Sequence, residues 1–199
     1  MATALILIDM INDFFHPQGA HYHPEFVSVL ANVQRLLDTA RRNGIVIIHA
    51  MEGHLPDHDQ DFEWKKLPQH CVIGSCEAEP AVGIDIHKGE HVIRKRRYSA
   101  FFATDLDLFL RERSVDRLVI AGVKTNVCIR ATAQDAFALG YDIMVVKEAV
   151  GSNHIHLHQA ALEDIERYMG RVISLDECVA LFESQGREAA NREEEAYGQ

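Results

Sequence analysis

No stretch of this chain reaches transmembrane length, so a membrane-spanning helix is not expected. The opening residues, MATALILIDMIND, lack a basic n-region and meet an acid after only five apolar positions. No signal peptide is therefore expected. Positive charge is in deficit: 20 Lys and Arg stand against 30 Asp and Glu, a formal charge of −10. That balance argues against a sequence-independent hold on nucleic acid or on an anionic membrane. Cysteine is sparse, with only Cys71, Cys76, Cys128 and Cys178. They form no C-x-x-C pair and no zinc framework, and without a secretion signal they read as reduced thiols in a cytoplasm. Internal repeats are absent too, which excludes solenoids and propellers.

What remains is globular. The 199 residues are 47% apolar and 25% charged, enough for one domain with a full core. Twelve histidines are many for this length and bring metal binding into consideration. Apolar β-rich runs alternate with amphipathic stretches. ALILID (4–9), IVIIHAM (45–51), HVIRK (91–95), RLVIAGV (117–123), DIMVVKEAV (142–150) and RVIS (171–174) read as strands. Helices are expected over 26–44, with Gly44 just past the end, after a Thr104 cap, over about 127–140, over 157–169 and over 176–185. Near-continuous apolar strands alternating with helices predict an α/β fold, three-layer α/β/α around a mainly parallel six-stranded sheet. The domain is expected to span 1–185, followed by a charged C-terminal tail over 186–199. The irregular stretch 52–90, rich in His, Asp and Pro, is expected to carry function.

Ligand sites of open parallel sheets lie beyond the carboxyl ends of the strands. Three chemistry-bearing residues stand there: Asp9 after ALILI, Lys95 after HVIR and Cys128 just past LVIAGV. Each has a bland reading as cap, solvated lysine or packed thiol. Together they form a coherent set. An ammonium and a helix N-terminus favour a thiolate, and a carboxylate can take the thiol proton and return it to a leaving amine. The turn in GVKTNVC supplies backbone N–H groups suited to an oxyanion.

The segments ILIDMINDFF, HCVIGSCEAE, VIRKRRYSAFFATDLDLFLRE and VIAGVKTNVCIRATAQDAFALGY, in this order, resemble the isochorismatase-like cysteine hydrolases. These include nicotinamidases and N-carbamoyl amide hydrolases, and the likeness runs from about residue 3 to 180. The resemblance implies a catalytic triad of Asp9, Lys95 and Cys128 and a cis peptide between Val123 and Lys124 that turns backbone N–H groups toward the oxyanion. It implies a small-molecule amide substrate, a thioester on Cys128, no cofactor for the thiol chemistry, and a homodimer or homotetramer.

The resemblance to nicotinamidases further implies a divalent metal (Zn, Fe or Mn) held by Glu52, His54, His58 and His70, with Glu52 where those enzymes carry Asp. The same loop also reads as a metal-free polar cover, as in carbamoyl amide hydrolases. Phe14 matches a ring-contacting position of the family, and Trp64, Tyr98 and Phe101 complete the expected substrate contacts. Leu67 falls where nicotinamidases carry an aromatic, which leaves an aliphatic or ureido amide as open as nicotinamide. Arg96 or Arg97 is expected to reach a substrate carboxylate as a fork donor, if the run Arg94 to Arg97 is not simply a solvated face. Two other functions compete: a vinyl-ether hydrolase, disfavoured by the thiol, and a catalytically silent oligomeric scaffold.

Overall fold

The computed structural model describes residues 1–56 and 61–197, with the backbone alone at 193–197. In chain order the elements are β1 (Ala2–Ile8), α1 (Asn12–Phe15), α2 (Phe26–Arg42), β2 (Val46–Glu52), β3 (His91–Lys95), α3 (Leu106–Glu112), β4 (Val115–Val123), α4 (Arg130–Ala138), β5 (Asp142–Gly151), α5 (Ile155–Tyr168), β6 (Arg171–Ile173) and α6 (Leu175–Tyr197). The six strands form one sheet in the order β3-β2-β1-β4-β5-β6, and every pairing is parallel. The expected three-layer α/β/α architecture is thus the observed one.

The two-residue period of β1 divides the core. Leu5 and Leu7 pack with Phe26, Val33 and Leu36 of α2 and Phe182 of α6 on one face. Ala4, Ile6 and Ile8 pack with Leu106 of α3, Ala133 of α4 and Ile165 of α5 on the other. Both faces are buried, so the strand carries no polar alternation and reads as a continuous apolar run. The chain runs outward from β1 to β3, then returns to place β4 on the other side of β1. That reversal is the topological switch point, where a crevice opens beyond the strand ends.

Gly122 fits β4 against β1 at this point. Its φ is +117°, and a Cβ there would lie 2.0 Å from the carbonyl oxygen of Ile8. Only glycine permits that approach. Gly44, at φ +63°, follows α2 as the expected C′ residue.

One boundary differs from expectation. The last helix, expected to end near residue 185, runs through Gly186 to Tyr197. The missing side chain of Gly186 leaves room for Asn43, since a Cβ would sit 2.2 Å from its Oδ1. This glycine therefore serves packing rather than helix termination. Among the described residues, no helix is long and apolar enough to cross a membrane.

Candidate active site

Asp9, Lys95 and Cys128 leave the ends of β1, β3 and β4 and meet in one buried cluster. Asp9 adopts the left-handed conformation at φ +54°, which Asp tolerates better than most residues. Its N–H donates to the Ala50 carbonyl at 2.9 Å, and its Oδ1 accepts the N–H of Glu52 at 2.7 Å. Its Oδ2 lies 2.9 Å from Lys95 Nζ, without the angle of a good hydrogen bond. Lys95 Nζ is also 3.4 Å from Cys128 Sγ. An oxygen of Asp9, one of Glu52 and the Sγ all lie within 4.8 Å of one another. Lys95 and Asp9 are fully enclosed.

The electrostatics follow from that enclosure. Burial raises the Asp9 carboxyl to about 6, although Lys95 opposes the rise. Burial alone would lower Lys95, but Asp9, Cys128 and Glu52 together hold it well above the usual lysine range. Burial likewise pushes the Cys128 thiol well up, against the pull of Lys95. The sequence argument expected the ammonium and a helix N-terminus to favour the thiolate. Desolvation by burial is the larger influence and pushes the other way. Nor does Cys128 open a regular helix. Residues Thr125–Ile129 form a wide helical turn, closed by the Ile129 N–H on the Lys124 carbonyl at 3.2 Å, before α4 begins. Such wide turns cluster at functional sites. The expected cis peptide is present between Val123 and Lys124.

A cavity of about 180 Å³ opens on the sulfur, lined by Phe14, His21, Glu52, Leu67, His70, Tyr98, Lys124, Val127 and Cys128. Phe14 and Tyr98 thus stand where substrate contacts were expected. Trp64 and Phe101 do not line it. Trp64 is half-buried behind His54, 5.5 Å between ring centroids, and Phe101 stacks on Tyr141 at 5.8 Å in the core beneath α3 and α4. The sequence reading missed His21. This ring stacks on Phe14 at 5.5 Å, and its Nδ1 is 2.6 Å from the Asp13 carboxylate.

Beside the thiol a second cluster gathers Glu52, His54, Glu63 and His70, all buried. The Nε2 atoms of His54 and His70 each lie 3.1 Å from Glu52 Oε1. His54 Nδ1 is fixed 2.8 Å from Asp61, and His70 Nδ1 donates to the Pro68 carbonyl at 2.7 Å. Both Nε2 atoms therefore face inward, the orientation that an outer carboxylate or carbonyl gives to metal-ligating histidines. Against burial, which lowers them, the Glu52 carboxylate raises both histidines. Burial favours a proton on Glu52, yet Lys95 and the two histidines hold its carboxyl well below the usual range.

Glu63 was not foreseen. Its Oε2 lies 3.8 Å and 4.0 Å from the two Nε2 atoms, and among the described residues neither oxygen has a hydrogen-bond partner. Burial, with the Glu52 charge, raises it to about 7. A buried carboxyl without a partner is costly, and a cation is one remedy. His58, the remaining expected ligand, lies outside the described residues. Arg96 and Arg97 do not face the cavity. Arg96 donates to Asp61 at 3.0 Å, Arg97 Nη1 is 3.7 Å from the same carboxylate, and both line a separate surface hollow.

Strand order, switch point and buried polar cluster together define an α/β enzyme that works at the carboxyl edge of its sheet. The chain belongs to the isochorismatase family, whose domain matches residues 3–177. It is 35% identical to maleamate amidohydrolase of Pseudomonas putida, over 86% of this chain and 82% of that one. It is 34% identical to a probable inactive nicotinamidase of Arabidopsis thaliana, over 82% of this chain and 88% of the relative. Among solved structures it resembles pyrazinamidase of Pyrococcus horikoshii in complex with zinc. The TM-score is 0.80 at 30% identity, covering 87% of this chain and 99% of that one.

Proposed function

We propose that the protein is a cysteine-dependent amidohydrolase that converts a small primary amide, nicotinamide-like or ureido, to the acid and ammonia. The observation that carries this reading is the buried Lys95 ammonium, held between the Asp9 carboxylate at 2.9 Å and the Cys128 sulfur at 3.4 Å, behind a small cavity that Cys128 lines. In this reading Cys128 Sγ adds to the amide carbon while its proton passes to Asp9 Oδ2, whose raised affinity for a proton suits it to the task. The C–S bond forms and the carbonyl electrons move onto oxygen. The backbone N–H groups of Lys124 and Cys128 are the proposed donors to that oxyanion. Asp9 then protonates the nitrogen, the C–N bond breaks and ammonia leaves. Water, deprotonated by Asp9, releases the acid from the thioester and restores the thiol. Lys95 offsets the negative charge on sulfur and on Asp9 throughout.

The cavity is smaller than the roughly 300 Å³ at the low end of drug-sized sites, in keeping with a substrate of few atoms. Maleamate amidohydrolase, by its name, acts on a compound of that kind. Expression as a homodimer or homotetramer in the cytoplasm belongs to the same proposal. The relative named a probable inactive nicotinamidase favours a second reading, a catalytically silent scaffold. The retained set of Asp9, Lys95 and Cys128 opposes it. Ammonia release from a panel of nicotinamide, maleamate and ureido acids decides between them. Turnover of at least one member is expected, and none across the panel would leave the scaffold.

The pH dependence follows from Asp9. Its carboxyl must be ionised to accept the thiol proton, so kcat/KM should fall as pH drops through about 6. A pH–rate profile checks this, and a limb that persists unchanged in Asp9→Asn would assign it elsewhere.

The second cluster fits a divalent cation. Two imidazole nitrogens and two carboxylates converge, and the Glu63 oxygens, without a hydrogen-bond partner among the described residues, are what a cation would satisfy. Glu52, His54, Glu63 and His70 would hold it, with Asp61 and the Pro68 carbonyl fixing the rings. Bound there, a cation would supply a Lewis-acid anchor for an electron-rich substrate atom. Metal content should be near stoichiometric in the wild type and lost in Glu63→Ala. Equal content in both proteins would remove Glu63 from the set.

A further inference from the structure

The cavity wall holds a cation that the proposed chemistry does not use. Lys124 lines the same 180 Å³ space as Cys128, with its Nζ 5.6 Å from the centre of the Phe14 ring. Among the described residues no carboxylate lies within 4.0 Å of it. Four other basic side chains described at the site are engaged. Lys95 lies between Asp9 and the thiol, Arg96 and Arg97 are held at Asp61, and His21 is bound to Asp13. Much of the remaining wall is apolar: Phe14, Leu67 and Val127. The acid in the wall, Glu52, is already matched by two histidines and Lys95.

An ammonium half-enclosed against an aromatic face, with no acid beside it, leaves its hydrogen-bonding capacity for what enters the cavity. We infer that Lys124 is a specificity-determining residue that binds an anionic group at the far end of the substrate, so the amides favoured here carry a carboxylate. This rests on the amidohydrolase reading and narrows it from small primary amides in general to short amide acids. It also moves the anion contact from Arg96 and Arg97, where the sequence suggested it, to the residue that follows β4. The electrostatic reason is local. A substrate carboxylate entering beside Glu52 and Asp9 meets repulsion unless a cation lies along the wall. A neutral amide gains nothing from Lys124 and must displace its solvent.

The test compares succinamate, an amide acid of four carbons, with its methyl ester, which keeps the amide and loses the charge. Wild type should favour succinamate in kcat/KM by about 10- to 100-fold, the range of a charge-assisted hydrogen bond. In Lys124→Met that preference should collapse toward unity, mainly through KM, and Lys124→Arg should restore most of it. Because the comparison is a ratio within each variant, any disturbance of the nearby backbone cancels. Calorimetric binding of succinate to wild type and both variants supplies a readout without turnover. A loss of at least about 10-fold in Lys124→Met, but not in Lys124→Arg, supports the assignment. Equal succinate affinity in all three proteins overturns it, as does an unchanged preference ratio. If neither amide releases ammonia, the wider amide panel decides the amidohydrolase reading separately, and succinate binding still decides the role of Lys124.

Discussion

Cys128→Ala should abolish ammonia release, lowering kcat by at least about 10,000-fold while leaving the protein folded. The proposed chemistry needs an atom that can bond to carbon, and Cys128, the proposed nucleophile, lines the cavity. Alanine removes that atom and nothing else of shape. The residue is only 3% exposed and packs among Ile129, Ala133 and the apolar ends of the strands. Loss of one buried sulfur should cost about 1 kcal/mol, a modest fraction of a domain's stability. Circular dichroism and thermal melting would verify the fold, and a coupled ammonia assay would verify the loss. A variant that keeps even a tenth of the wild-type rate would remove Cys128 from the mechanism and return it to the core.

Lys95→Met should have the second-largest effect, and it should strike both activity and stability. Methionine matches the length of the stem but leaves the carboxylates of Asp9 and Glu52 without their shared cation. Breaking a buried ion pair from one side typically costs about 3–5 kcal/mol. Activity should fall by about 100- to 1,000-fold or more, because the charge that develops on sulfur loses its counterpart. The pH dependence of the defect gives a sharper signature. In the wild type burial already lifts Asp9 to about 6, and without Lys95 the main opponent of that rise is gone. A carboxyl with a folded pKa above its unfolded value binds its proton more tightly when folded. The fold then loses stability as pH climbs through the window between the two values. The melting temperature of Lys95→Met should therefore recover as pH drops from 7 to 5. A melting deficit independent of pH would mean that packing, not unpaired charge, explains it.

Much of the sheet was legible because its strands are buried on both sides and read as bare apolar runs. Asp9, Lys95 and Cys128 could be found for the same reason, since each is the polar residue that interrupts or follows such a run. The upward push on the Cys128 thiol could not, because desolvation depends on enclosure that no local pattern encodes. The second cluster was half legible. His54, His70 and Glu52 were implied by the resemblance to nicotinamidases, and Glu52 ends β2. Glu63 and Asp61 come from an irregular segment without periodicity, and only the folded chain brings them to the histidines. Trp64, chosen for its ring, backs the cluster instead of the cavity. The extension of α6 was hidden by Gly186, a residue type that ends helices by default but here makes room for Asn43.

Glu52 has a place in both halves of this site. Its backbone N–H holds Asp9 Oδ1, one carboxylate oxygen receives two histidines, and the other lies 3.9 Å from Lys95. For anyone recombining this scaffold with its relatives, residue 52 is a seam that cannot be cut. A loop transplanted from another family member, with a shorter acid at its first position, would arrive detached from the strand-end machinery it must serve. The crossover point belongs upstream, within β2, so that the side chain at 52 travels with the histidines it was matched to.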